Sequence, residues 1–227
     1  MDSAVTILQI NTALNEASVS IGRNGVLMTE LINGEQHEHV GFIQPAIKKI
    51  CSSINIELHD LSAVAVMNGP GSYTGLRVGL SSAKGICFAL GIPLICINTL
   101  EWIALGNIRQ DTDLVCPMID ARRMEVFTGL YDHDLNVVMP PRAMVLECDS
   151  FATELSAHRI QFCGTGAPKW NTMANSENAH FYGESHDATH FSKLAHKAYE
   201  QRKFADLKNS EPFYLKAFYT NQRHHQP

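Results

Sequence analysis

Hydrophobic residues recur along this chain with two alternating periods. Residues 4–13, AVTILQINTA, are a β-branched run that stops at the polar pair Asn11 and Thr12, which predicts a buried strand. Residues 16–31, EASVSIGRNGVLMTEL, alternate apolar with polar and carry Asn24-Gly25, the two-residue signal of a hairpin. In residues 37–54, Val40, Ile43, Ile47 and Ile50 return at helical spacing; Pro45 inside that run predicts a kink or a late helix start. LSAVAVMNGPG (61–71) predicts a buried strand ending in a turn, a glycine-rich helix follows, and GIPLICINT (91–99) predicts another buried strand.

Beyond residue 98 the pattern changes. TLEWIALGNI predicts a helix, and residues 113–138 predict two strands around a polar turn at 120–123. SFATELSAH predicts a short helix, RIQFCGTGA a strand ending in glycines, and residues 190–204 a closing helix. EPFYLKAFYT reads as a tail docking back through Phe213, Tyr214 and Leu215. This order predicts an α/β fold with mixed sheets flanked by helices. Its divisions are a first lobe at 1–100, a second, smaller α/β lobe at 101–207, and a tail at 208–227 returning to the first lobe.

Composition narrows the classes. With 45% hydrophobic and 18% charged residues, the 227-residue chain has material for a proper core. A net charge of −5 argues against direct nucleic-acid binding through the field of the whole chain. The six cysteines form no C-x-x-C pair and sit mostly in apolar runs, so they read as buried hydrophobes of a reducing compartment. No signal peptide or membrane helix is legible, and a cytoplasmic location with no membrane partner is the expectation.

The chemistry concentrates in MNGPGSYTGLRVGLSSAKGICFAL. Gly69, Gly71, Gly75, Gly79 and Gly85 are five of 15 glycines, although each glycine weakens a helix interior by roughly 1 kcal/mol relative to alanine. A glycine turn entering a helix capped by Ser72 is a recipe for anion binding. However, the Lys of a P-loop is missing and G-x-G-x-x-G is not matched. The competing reading uses spacing: Gly75, Gly79 and Ala83 recur at i, i+4 and i+8, a groove of small residues on which another backbone can sit. Close packing is favoured, without naming the neighbour. Elsewhere, His37 with His39, His186 with His190, and His224 with His225 lack a third ligand and read as surface or capping residues. Asp120, Arg122, Arg123 and Glu125 read as a capped turn, with a cleft carboxylate as the alternative.

The string GPGSYTGLRVG, with ILQINTA, ASVSI, the helix starting near His39, IDARRMEVFTGLY, FCGTGA and EPFYLK, resembles the TsaB (YeaZ) family of bacterial tRNA threonylcarbamoyladenosine biosynthesis proteins. The resemblance spans nearly the whole chain. It implies a two-lobed ASKHA (actin-like, sugar-kinase-like) fold. It also implies a non-catalytic role, supporting the catalytic relative TsaD as a heterodimer joined by the ATPase TsaE; for the isolated chain, monomer and homodimer both stay open. tRNA would be reached only through that complex.

Residue by residue, the resemblance places Thr99 and Ile103 where catalytic relatives carry two metal-holding histidines. Asn11 stands where an aspartate ends the first strand of actin-like ATPases. Asn11, Thr12 and Gly71 would thus be a vestigial nucleotide site, with no metal, no catalytic residue and no required cofactor. ATP and magnesium would enter only at a partner or subunit interface. His39, Ile43, Ser72, Gly75, Arg77, Gly79 and Ala83 would form the partner-facing helix groove, with part of it open to facing the chain's own sheet, and Gly79→Arg would break association without unfolding the monomer. The rival readings are a glycoprotease-type metallopeptidase and an actin-like small-molecule kinase or ATPase.

Overall fold

The computed structural model describes residues 4–34, 39–183 and 186–216. Strands β1 (Thr6–Asn11), β2 (Ala17–Arg23) and β3 (Val26–Asn33) form an antiparallel meander. Asn24 and Gly25 both take positive φ, 50° and 78°, as a tight hairpin turn requires. Helix α1 (His39–Ser53) leads to β4 (Ala63–Gly69), which pairs parallel with β1. Pro45 neither ends α1 nor delays it: the residue is exposed, as is Gly41 four residues earlier, so the unpaired carbonyl faces water. Helix α2 (Tyr73–Leu90) is capped by Ser72 and stopped by Gly91 at φ 66°; β5 (Leu94–Asn98) then pairs parallel with β4. The sheet order is β3-β2-β1-β4-β5.

The second sheet repeats this plan. Strands β6 (Leu114–Asp120), β7 (Glu125–Tyr131) and β8 (Val137–Val145) form the meander. Short helix α4 (Ala152–Leu155) leads to β9 (Ile160–Cys163), parallel to β6; α5 (Ala167–Asn171) leads to β10 (Ala179–Phe181), parallel to β9. The order β10-β9-β6-β7-β8 is the same topology as the first sheet.

Period-two alternation sorts the strand residues into three cores. Leu8, Ile10, Val64 and Val66 face α1 and α2, while Ile7, Ala63, Ala65 and Met67 face the other way. There they meet α3 (Thr99–Gly106), α6 (Ala188–Glu200), and Val115, Ile119 and Tyr131 of the second sheet. Leu114, Cys116, Met118 and Phe162 pack against Leu155 and Trp170 on the far side.

One division expected from the sequence is corrected here. Helix α6, assigned by its position to the second lobe, packs on the first sheet, where Gln9 Nε2 donates to Ser192 Oγ at 2.9 Å inside the core. Its apolar face of Phe191, Leu194, Ala195 and Ala198 matches the small-residue face of β4. The return to the first lobe continues at Ala205, whose N–H donates to the Leu94 carbonyl at 2.8 Å.

Candidate functional site

The two lobes face each other across a cleft of about 850 Å³. Its first wall is the turn after β1 together with residues 71–74 at the start of α2. Its second wall is the β6–β7 turn, residues 119–123, with Thr165 and Lys169.

The glycines of α2 explain how the first wall is built. A Cβ at Gly75 would overlap the carbonyl of Thr12, one at Gly71 the carbonyl of Ala13, and one at Gly79 the hydroxyl of Thr12. Thr12, fully buried, donates its hydroxyl to the Gly75 carbonyl at 2.7 Å, and Ser72 N–H donates to the Ala13 carbonyl at 2.7 Å. The small-residue groove therefore receives this chain's own strand: the same Cβ at Gly79 would stand 3.6 and 3.5 Å from Ile10 and Val66. That corrects the expectation that Gly75, Gly79 and Ala83 meet another chain: all three are buried, as is Ile43 in α1. Ser72 is exposed, and His39 opens α1. Arg77 is exposed but engaged, lying 4.2 Å over the Tyr73 ring and donating to Tyr214 Oη at 3.1 Å.

The outward face of α2 is a different set. Ser81, Gly85, Phe88 and Ala89 are exposed, Phe88 at 82%. Ser81, Gly85 and Ala89, with Gln44, Leu58 and Ile86, border a shallow apolar hollow of about 310 Å³. A Cβ at Gly85 would meet nothing within 4 Å.

In the second wall Asp120 is both cap and cleft carboxylate. Its Oδ1 accepts from Arg122 N–H and from Lys169 Nζ, each at 2.6 Å, and its own N–H donates to Thr165 Oγ1 at 3.0 Å. Burial works to raise its pKa, but the Lys169 and Arg122 N–H hydrogen bonds and the two cationic side chains together hold it below 3.8. Arg122 and Arg123 take the left-handed region, φ 70° and 50°, to turn the chain. Lys169 carried no local signal in the sequence, because α5 brings it to the turn from 49 residues away.

Asn11 and Thr12 lead into Ala13, whose carbonyl lies against Gly71, yet their polar atoms serve the fold. Asn11 Oδ1 accepts from Ala13 N–H at 3.1 Å, and the Thr12 hydroxyl is committed to Gly75. An amide and a committed hydroxyl do not fit a magnesium–nucleotide, whose metal wants anionic oxygen. Asn11 borders a neighbouring hollow of about 400 Å³ with Glu16, Glu30, Trp102 and Asp187. There burial raises the pKa of Glu30, against a Ser18 hydrogen bond and with Asp187 and Glu16 adding to the rise.

Thr99 and Ile103 are 0% and 1% exposed, inside the core on α3. Asp187 caps α6, accepting from Thr189 and His190 N–H, and lies 2.9 Å from His190 Nδ1; His186 packs edge-on against Trp102 at 4.4 Å. His37, His224 and His225 lie outside the described residues. Among the described residues, no three His, Cys, Asp or Glu side chains are grouped to hold a metal ion, and no helix is long and apolar enough to cross a membrane. Burial pushes the thiol of Cys116 up to about 12.

Comparison with known proteins adds to this geometry. Residues 33–215 match the profile of a family described as "TsaD: tRNA N6-adenosine threonylcarbamoyltransferase". The chain is 34% identical over 145 residues to the tRNA threonylcarbamoyladenosine biosynthesis protein TsaB of Bacillus subtilis (strain 168), covering 63% of each. It is 35% identical over 133 residues to the protein of the same name from Escherichia coli (strain K12), covering 57% of this chain and 56% of that one. The matched part thus spans less than two thirds of either relative's length. In fold, it is similar to a Pseudomonas aeruginosa protein described as having similarity to peptidase YEAZ, with TM-score 0.80 and 22% identity. That match covers 93% of this chain and all of the other; YeaZ from the same organism aligns with TM-score 0.77 and 23% identity, again over 93% of this chain and all of that one.

Proposed function

The chain belongs to the TsaD family of tRNA N6-adenosine threonylcarbamoyltransferases, and from that membership we propose that it is a non-catalytic subunit supporting threonylcarbamoyladenosine formation on tRNA. The observation that carries it is the burial of Thr99 and Ile103 in the core, the two positions that the family resemblance aligns with the metal-holding histidines of the catalytic relatives. A threonine hydroxyl is a weak ligand and an isoleucine is none. The named relatives, called TsaB, support the same pathway assignment.

The partner in this reading is the catalytic subunit TsaD, with the ATPase TsaE joining the pair and tRNA reached through the complex. The docking face we propose is the outward side of α2 around Phe88, with the adjoining residues of α1 and the turn at Leu58–Asp60. An exposed phenylalanine beside an apolar hollow is the anchor-and-pocket arrangement of interface hot spots. The same face would serve a second copy of the chain when it is alone. Any ATP and magnesium would sit with the partner or between subunits, not on Asn11 and Thr12.

Size-exclusion chromatography with TsaD tests the face. Wild type is expected to co-elute with TsaD, and Phe88→Glu to elute separately with an unchanged melting temperature. Co-elution of the variant would remove α2's outer face from the interface.

A further inference from the structure

After α6 the chain does not wander; it runs as a strap from the first lobe to the second. Ala205 pairs with Leu94 at the start of β5. Lys84 of α2 donates through Nζ to the carbonyls of Lys208 and Ser210 at 3.2 and 3.1 Å. Phe213 N–H donates to the Asn68 carbonyl at 2.7 Å, and a Cβ on Gly69 would stand 2.5 Å from the Phe213 carbonyl. Gly69, at φ 118°, is therefore where strap backbone lies directly on the end of β4. The Tyr214 ring stacks on Tyr73 at 5.0 Å and its hydroxyl accepts from Arg77. Lys216 then reaches the second lobe, its Nζ 2.6 Å from Glu125 Oε2.

We propose that residues 205–216 are a clasp that sets the opening between the lobes and ties it to the exposed Tyr73–Arg77 side of α2. The last attachment among the described residues, Lys216 to Glu125, joins the strap to the first residue of β7, directly after the turn that forms the second wall of the cleft. The attachment before it, Tyr214, rests on the residue that forms the first wall, Tyr73. A molecule entering the cleft by parting its walls must loosen one of these two contacts. A partner that takes the Tyr73–Arg77 side must displace Tyr214, which slackens the link to the second lobe.

The strap is anchored unevenly. Upstream it has main-chain hydrogen bonds and a lysine shared by two carbonyls; at Tyr214 and Lys216 the described attachments are side-chain only, a ring stack, the Arg77 hydrogen bond and an ion pair whose lysine is 47% and whose glutamate is 18% exposed. Exposed ion pairs hold weakly and are screened by salt. The end is thus the part built to release, while the strap stays fastened to α2. This inference does not rest on the role proposed above.

The test is a distance distribution between spin labels in the full chain. One label sits on Cys148, exposed on the second lobe, and the other on Lys48→Cys, exposed on α1. The doubly substituted Lys216→Ala, Tyr214→Ala chain is expected to give longer and broader distances than the parent, with the melting temperature nearly unchanged. Glu125→Ala, breaking the link from the other side, is expected to do the same, and the exchanged pair Glu125→Lys with Lys216→Glu to restore the parent distribution. Amide exchange at residues 69–74 should accelerate about tenfold in the released variants. Distances unchanged on breaking the link from both sides, or an exchanged pair that folds without restoring them, would overturn the clasp. No partner protein takes part, so either result leaves the family role standing.

Discussion

Gly75 is buried and Gly85 exposed on α2, and they make opposite predictions. At Gly75 a methyl group meets the carbonyl of Thr12, which cannot rotate away. Gly75→Ala is expected to lose about 1–3 kcal/mol through overpacking. At Gly85 the methyl meets nothing, so Gly85→Ala is expected to gain roughly 0.5–1 kcal/mol from helix propensity. Urea unfolding of both variants checks the pair, and a matching shift in the same direction would contradict the packing described. By the same geometry Gly79→Arg is now expected to unfold the chain, not merely to break an association. Asp120 supplies a pH test. Its native pKa is depressed, so its ion pair with Lys169 adds stability above the unfolded value of 3.8 and loses it as pH falls through the lower native value. Stability curves of wild type and Asp120→Asn should therefore lie apart near neutrality and converge in acid. A constant separation down to the lowest pH would show that the lowered pKa is not the source.

At the scale of elements, legibility followed burial pattern. The sequence exposed β1, β4 and β5 because continuous apolar runs suit strands covered on both faces, and it exposed α2 because Ser72 and Gly91 mark its ends. It concealed β8, an edge strand with mostly exposed side chains and Pro140 and Pro141 within it, and also α5 and β10, of five and three residues. The direction of the α2 groove was equally hidden. Spacing shows that Gly75, Gly79 and Ala83 share a face, but not whether a neighbour on that face belongs to the same chain. The structure answers with Thr12 and β1, which moves the candidate interface to the exposed side of the helix at Phe88 and Gly85. Lys169 was out of reach for the same reason: its partner Asp120 is close in space and far in sequence.

At the scale of the molecule, two sheets of identical topology enclose α3 and α6, and the cleft opens where the strand-end turns of the two lobes meet. No sequence repeat announces this duplication; the shared plan is carried by strand order alone. The fold places Thr99 and Ile103 in a sealed core and Asn11 in its own turn, which is why the proposed role is support and not chemistry. The measurement that bears on that role most directly is reconstituted tRNA modification. TsaD, TsaE and the threonylcarbamoyl-adenylate-forming enzyme are combined with an unmodified tRNA that reads ANN codons, with and without this chain. The account predicts N6-threonylcarbamoyladenosine in the full mixture, little or none when this chain is omitted, and none from this chain with the adenylate alone. Equal modification without it, or modification by this chain alone, would contradict the account.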